Sequence, residues 1–334
     1  MENIDIEKQY EDAVFKMLKR FAFISRQFCD KYCVPDGLMD IMKEKVYTNN
    51  ISKDLLYSNK LSYDYDYYAF TKSTKTLHAI LNLLKDKKYF FNEDIMMLIR
   101  SIFENHILSR YFREHIDIKV EREKVINEFI QNPLGVSLGF YIKEGFSVKT
   151  LNGEILGNVK MPSSYKMGSE KDYYPEFYSY LCEFAHCSFG RIECYFDGAN
   201  FYYDKSNLRL EAMIFTLFVF TKIFEGVVTV EGENFDTKEE ENRCYNLIYD
   251  SLELQSEIFD FLIKKYETIN FNKDTAIISL YLNEKNTSNR NSIIKSMLLK
   301  MKKSLDDNEI GSVIKEKNEG GKYIRQYPGN WQLN

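Results

Sequence analysis

Residues that break regular structure are scarce in this sequence: 5 Pro and 15 Gly among 334 residues. So few breakers exclude a fold of many short strands joined by tight turns, and they favour long helices. Tryptophan occurs once, yet 25 Tyr and 25 Phe bring aromatics to 15% and apolar residues to 44%. A chain of this length and composition buries a large core, so disorder is not its expected state. Long apolar runs are missing too. The longest, Ala212 to Thr221, ends at Lys222, well short of the roughly 20 residues that a bilayer core requires. It reads as a buried core helix, and no membrane contact is expected. Met1 to Lys8 is polar and acidic, not a basic segment leading into an apolar one, which points to a cytoplasmic location.

The cysteines Cys29, Cys33, Cys182, Cys187, Cys194 and Cys244 are too sparse for a disulfide scaffold and lack the paired spacing of a zinc ribbon. Reduced, packed thiols are expected. Cys182, His186, Cys187 and Cys194 match no standard metal site, and neither metal nor cofactor is expected. No Walker loop, Rossmann glycine pattern, Gly-x-Ser-x-Gly elbow or His-Glu-x-x-His helix occurs, which disfavours nucleotide hydrolysis by those routes. Excess positive charge is also lacking. The net charge of −5 disfavours a protein that coats nucleic acid through overall charge. Only the end of the chain is cationic: from Glu284 onward, 10 Lys and Arg face 6 Asp and Glu, a net +4 that leaves −9 on the rest.

What is present is helical periodicity. Tyr10, Val14, Met17, Phe21, Ile24 and Phe28 recur at three- and four-residue steps and predict a helix from Ile4 to Tyr32. Pro35 opens a shorter one through Leu38, Ile41, Met42 and Val46, and Lys53 to Leu61 is ambiguous. A third runs from Tyr67 to Lys87, with Phe70, Thr74, Leu77, His78, Ile80, Leu81 and Leu84 on one broad face. Asn92 is placed to cap a fourth, which carries Glu93 and Asp94 in its first turn and extends to His115. A fifth covers Val120 to Gln131 and is expected to end at Asn132-Pro133. Further helices are expected over Tyr173 to Cys187, Asn207 to Glu225, Asp236 to Tyr266 and Ser288 to Leu305.

Between Gly145 and Gly168 the helical period gives way to Gly, Ser and alternating residues. Asn152-Gly153 predicts a two-residue type I′ hairpin turn, and Asp197-Gly198 gives a second, similar signal. The expected fold is therefore mainly α: a multi-helix bundle with one or two small β-hairpin insertions. Its parts are read as N-terminal helices over 1–61, a core helical domain with the hairpins over 62–230, and a C-terminal helical region with a basic tail over 231–334. The last helix, with Lys295, Lys302 and Lys303 off its apolar side, is expected to be a docked helix with a solvated charged face, though it is a candidate surface for a protein partner or a nucleic acid.

The functional clue lies in the fourth helix. Arg100 and Glu104 are four residues apart, so they lie within about 40° of each other. Met96, Met97, Leu98, Ile99, Ile102, Phe103, Ile107 and Leu108 surround them on nearly all sides, so the pair is either a satisfied structural network or a site. His106 follows Arg100 after five residues. That spacing resembles the Arg-x(4-6)-His pattern of HEPN-type ribonucleases, although here Ser101 follows the arginine and a regular helix turns the two side chains about 120° apart. The resemblance implies an all-α, dimeric protein that cuts RNA without metal. Such cleavage needs a group to assist attack by the 2′-hydroxyl, another to protonate the leaving oxygen, and a cation beside the phosphate. His106 suits the proton work and Arg100 the phosphate.

A broader resemblance spans Tyr67 to Thr221. Leu98-Ile-Arg-Ser-Ile-Phe-Glu-Asn105, followed by Tyr174-Pro-Glu-Phe-Tyr-Ser-Tyr-Leu-Cys-Glu-Phe-Ala-His186-Cys-Ser188, is similar to the bacterial domain-of-unknown-function family 5677, with Cys182 where that family carries Ser. This similarity directs attention to Arg100, Glu104 and His186 as one constellation. His186 would sit at a helix C-terminus, where the dipole favours imidazolium, beside the small residues Ala185, Cys187 and Ser188. His78 and His115 read as packing or capping residues. Tyr173, Tyr174, Tyr178 and Tyr180 read first as core and rim aromatics, second as base-stacking platforms. The functional expectation is a HEPN-like, metal-independent RNA-cleaving effector in antiphage or toxin-type defence, homodimeric, with Arg100, Glu104, His106 and His186 near one cleft. The alternative is a noncatalytic interaction or sensing module in which Arg100, Glu104 and His186 form a buried network.

Overall fold

The computed structural model describes residues 2–48, 60–86, 91–116, 118–158, 172–186, 191, 194–196, 200–201, 208–268, 284–306, 314–317 and 323–326. The fold is mainly α with a small antiparallel sheet. The helices are α1 (Glu2–Tyr32), α2 (Asp36–Thr48), α3 (Lys60–Lys85), α4 (Asn92–Ile116), α5 (Arg122–Ile126), α6 (Asn132–Ser137), α7 (Tyr174–Ala185), α8 (Arg209–Glu231), α9 (Lys238–Thr268) and α10 (Glu284–Asp306). The chain divides into two compact units. Met1–Gln27, Ser73–Phe103 and Gly168–Asn334 form the first, and Phe28–Lys72 with Glu104–Met167 the second.

The core of the first unit is α8. Its apolar residues fall on every side, so it must be surrounded by protein or by lipid. By length and composition it could cross a membrane, but 83% of its most apolar stretch is buried inside the protein. Phe220 and Phe224 meet Phe21 of α1 edge-on at 5.8 and 5.3 Å, Phe218 meets Phe259 of α9 at 5.8 Å, and Phe215 meets Phe177 of α7 at 5.4 Å. Each fully buried ring contributes about 1.5–3 kcal/mol. The polar residues of α8 carry their own partners: Thr216 and Thr221 each donate to the carbonyl four residues back at 2.7 Å. Thr221, Ser251 and Gln255 also link α8 to α9 through bonds of 2.8–3.0 Å.

Glu211, in the first turn of α8, is 2% exposed and accepts from Lys265 Nζ at 3.3 Å and the Tyr266 hydroxyl at 3.2 Å. Lys265 also reaches Glu7 at 2.8 Å. Burial works to lower the Lys265 pKa, but Glu211 and Glu7 together raise it, so the ammonium stays charged inside the network. The basic helix at the end of the chain is docked: Ile294, Met297, Leu298 and Met301 are buried, and Lys295, Lys300 and Lys302 pair with Glu267, Glu176 and Asp260. Beyond it, β4 (Ile314–Lys317) and β5 (Tyr323–Gln326) pair antiparallel, a hairpin the sequence did not announce.

The second unit is built around the aromatic residues of α3, α4 and the segment after α5. Tyr65 lies 4.8 Å from Phe112 and 5.4 Å from Phe129, and Phe28 meets Phe70 edge-on at 5.5 Å. The Asp64 carboxylate accepts the Leu38 N–H, one of the donors that the first turn of α2 leaves without an intrahelical partner. The helical path does not stop at Asn132-Pro133 as the sequence suggested. A π-helical segment, Asn127–Gln131, carries it into α6. Pro133 lies in the first turn of α6, the part of a helix that tolerates proline best.

The sheet follows as β1 (Tyr141–Glu144), β2 (Ser147–Thr150) and β3 (Ile155–Asn158), antiparallel in that order. The β2–β3 hairpin falls at Asn152-Gly153 as expected, but its loop is Leu151-Asn152-Gly153, closed by Thr150 N–H to Glu154 O at 2.8 Å. Gly153 takes φ +88°, the left-handed residue that three-residue hairpin loops need at their end. The two-residue turn belongs instead to Gly145-Phe146, with Gly145 at φ +61°. Of the second expected hairpin, Asp197-Gly198 lies outside the described residues, while Phe196 and Phe201 beside it form an isolated antiparallel bridge.

Candidate functional site

The four residues singled out by sequence fall two to a unit: Arg100 and His186 in the first, Glu104 and His106 in the second. Helix α4 is α-helical from Asn92 to Ile116, so nothing distorts it to bring Arg100 and His106 onto one side.

In the first unit, α4 and α7 meet through Arg100, Phe103 and the aromatic residues of α7. Phe103 of α4 packs on Tyr174 and Phe177 of α7 at 5.7 and 4.9 Å. Three residues earlier, Arg100 Nη2 donates to the Tyr178 hydroxyl at 3.1 Å, and the guanidinium carbon lies 5.2 Å from the centre of that ring. The order reverses between the helices, 100 with 178 and 103 with 174, so α4 and α7 run antiparallel at this contact. Tyr174 and Tyr178, one turn apart, stack at 5.3 Å and 20°. Arg100 and Tyr178 are half-buried.

His186 is exposed and caps the C-terminus of α7, with extended backbone angles and its N–H donating to Cys182 O at 3.2 Å. It therefore ends the same helix that holds Tyr178, about 12 Å of helical rise further on. Cys182, half-buried, lies one turn from each. The arrangement offers a cation with a polar partner and an accessible imidazole, both associated with α7.

His106 has different surroundings. It is 3% exposed and belongs to a polar network centred on Asp66 of α3. The Asp66 carboxylate is buried and accepts from Ser109 Oγ and from Arg113 Nε at 3.0 Å and Nη2. Burial is the largest influence and raises the Asp66 pKa above its ordinary value, while the charge of Arg113, the Ser109 and Arg113 hydrogen bonds and His106 act the other way. Sequence reasoning did not find Asp66, because its partners lie 43 and 47 residues away. Glu104 is half-buried.

The remaining histidines are peripheral. His78 is exposed on α3 and not in its apolar stripe. His115 stacks on Tyr111 at 3.8 Å, donates from Nδ1 to Tyr111 O at 2.8 Å, and places Nε2 3.6 Å from Glu121, a corner tie between α4 and α5. Among the described residues no three His, Cys, Asp or Glu side chains gather as a metal-binding group; Cys187 lies outside them. Comparison of the chain with protein-family models, with curated proteins and with solved structures gives no match.

Proposed function

We propose that this protein is a HEPN-like, metal-independent RNA-cleaving effector of bacterial antiphage or toxin-type defence, acting in the cytoplasm as a homodimer. The observation that carries this reading is the placement of Arg100 and His186 within one unit, with Arg100 resting on Tyr178 of the helix that His186 ends. Tyr178, which Arg100 meets, and His186 are about 12 Å apart in helical rise, a spacing that favours a polymer over a mononucleotide: a strand with a charge at every nucleotide presents one phosphate to Arg100 beside Tyr178 and another to His186. The accessible imidazole takes the proton from the 2′-hydroxyl as that oxygen bonds to phosphorus. The P–O5′ bond breaks and the leaving oxygen is protonated, a step that His186 of a second copy would serve. Arg100 holds the strand through a phosphate, where a guanidinium makes charge-assisted bonds.

The products would carry a 2′,3′-cyclic phosphate and a 5′-hydroxyl. The test is incubation of purified protein with single-stranded RNA in the presence of a chelator, with the product ends identified by mass spectrometry. Cyclic-phosphate ends that disappear with His186→Ala support the reading; intact RNA under every condition, alone and with proteins encoded beside it, ends it.

A noncatalytic interaction or sensing module is the second reading, and His106 favours it: the residue is buried and interacts electrostatically with Asp66. On that reading Arg100→Ala changes thermal stability but leaves cellular toxicity unchanged.

A further inference from the structure

We propose that Tyr178 is a positioning residue that holds the Arg100 guanidinium ready for a phosphate of the RNA strand; this rests on the reading that Arg100 contacts RNA. An unrestrained arginine samples many rotamers and loses that freedom when it binds. Here one residue, Tyr178, meets the side chain through both its hydroxyl and its ring. The Tyr178 hydroxyl accepts from Nη2 at 3.1 Å, and the ring lies 5.2 Å from the guanidinium carbon.

Tyr178 is itself held by its stack on Tyr174, and Tyr174 by Phe103. Phe103 lies three residues beyond Arg100 on α4, so contacts run from α4 to α7 and back: Arg100, Tyr178, Tyr174, Phe103. Tyr174 is 6% exposed and Phe103 fully buried, so this frame is anchored in the core and presents its arginine at the half-buried edge. A guanidinium has five N–H donors in a fixed fork, and the bond to Tyr178 takes one of them.

The experiment measures binding of a short fluorescent single-stranded RNA by anisotropy, using full-length protein carrying His186→Ala so that cleavage does not intervene. Tyr178→Phe removes the hydroxyl and keeps the ring. It is expected to weaken binding five- to tenfold in the Arg100 protein and to change nothing when Arg100→Ala is already present, since coupled residues are not additive. Equal weakening in both backgrounds, or none in either while Arg100→Ala alone weakens binding, overturns the positioning role and leaves the RNA reading standing. RNA affinity unchanged by Arg100→Ala, or no RNA binding at all, sinks the RNA reading and this proposal with it. A melting curve on each variant accompanies the titrations; because the coupling compares matched backgrounds, a shifted Tm does not blur it.

Discussion

The two halves of α4 use the same kinds of residue in opposite ways. In the first unit Arg100 stays half-exposed and meets a tyrosine hydroxyl. Six residues later, in the second unit, His106 is shut away beside a buried aspartate whose carboxylate already accepts from Ser109 and Arg113. Residue type does not separate chemistry from architecture here; burial and the partner do. A buried charge must be compensated where it stands, so the Asp66 network is occupied with its own cost. An exposed side chain such as His186 has no such duty.

An exchange of roles between the two histidines would break this contrast most visibly. His186→Ala is expected to lower RNA cleavage by about 10²–10⁴-fold and to change the unfolding free energy, read by urea, by no more than a neutral surface change, about 0.5 kcal/mol. His106→Ala should do the reverse, costing about 2 kcal/mol through the vacated core volume with the cleavage rate per folded molecule unchanged. Cleavage lost with His106→Ala in a protein that still melts normally would assign the chemistry to the wrong half of the helix.

Next in size is the removal of the aspartate. Asp66→Ala leaves Arg113 and Ser109 facing a cavity, and breaking a buried pair in this way costs about 3–5 kcal/mol; Arg113 is 19% exposed and can hydrate in part, which places the effect near the lower end, read by equilibrium urea unfolding. Asp66→Asn tests the sign of the charge. Because the folded pKa is raised, native Asp66 binds its proton more tightly than the unfolded chain does. The protein therefore loses stability as pH rises from the ordinary carboxylate range through the elevated folded value. Asparagine does not ionise, so Asp66→Asn should be more costly near pH 4 than near pH 7. A cost that grows with pH would mean that Arg113 outweighs burial.

The difference between the halves is only partly legible in the sequence. The apolar stripes place α1, α4 and α10 to within a few residues, because a helix that buries one face must repeat at 3.6 residues. Apolar residues all round α8 mark it as a core helix for the same reason. Asp66 is invisible because the periodic pattern of the third helix begins at Tyr67, whereas α3 starts at Lys60. Tyr63-Asp-Tyr-Asp66 has the look of a polar loop, and only a tertiary pairing with Ser109 and Arg113 makes it helical core. The passage through Pro133 is hidden because a π-helical turn is a local change of hydrogen bonding with no residue signature. Arg100 is legible as a polar residue in an apolar helix, but its partner is not: Tyr178 is one of four tyrosines, and nothing short of the antiparallel contact of α4 with α7 selects it.

The finest test removes a single hydroxyl from each half. Ser109→Ala takes a donor from Asp66 and leaves a carboxylate oxygen short of a partner inside the protein, which costs about 1–2 kcal/mol. Since the Ser109 bond lowers the Asp66 pKa, its loss raises the folded value further and carries the fall in stability to higher pH. The cost of Ser109→Ala should therefore be larger near pH 7 than near pH 4, opposite in trend to Asp66→Asn. Tyr178→Phe also deletes one hydroxyl bonded to a charged neighbour, but Arg100 is half-exposed and water replaces the bond, so the unfolding free energy should change by no more than about 0.5 kcal/mol with no dependence on pH. Matching costs for the two substitutions would show that Arg100 is bound into the fold as firmly as Arg113, and that the contrast along α4 is one of position alone.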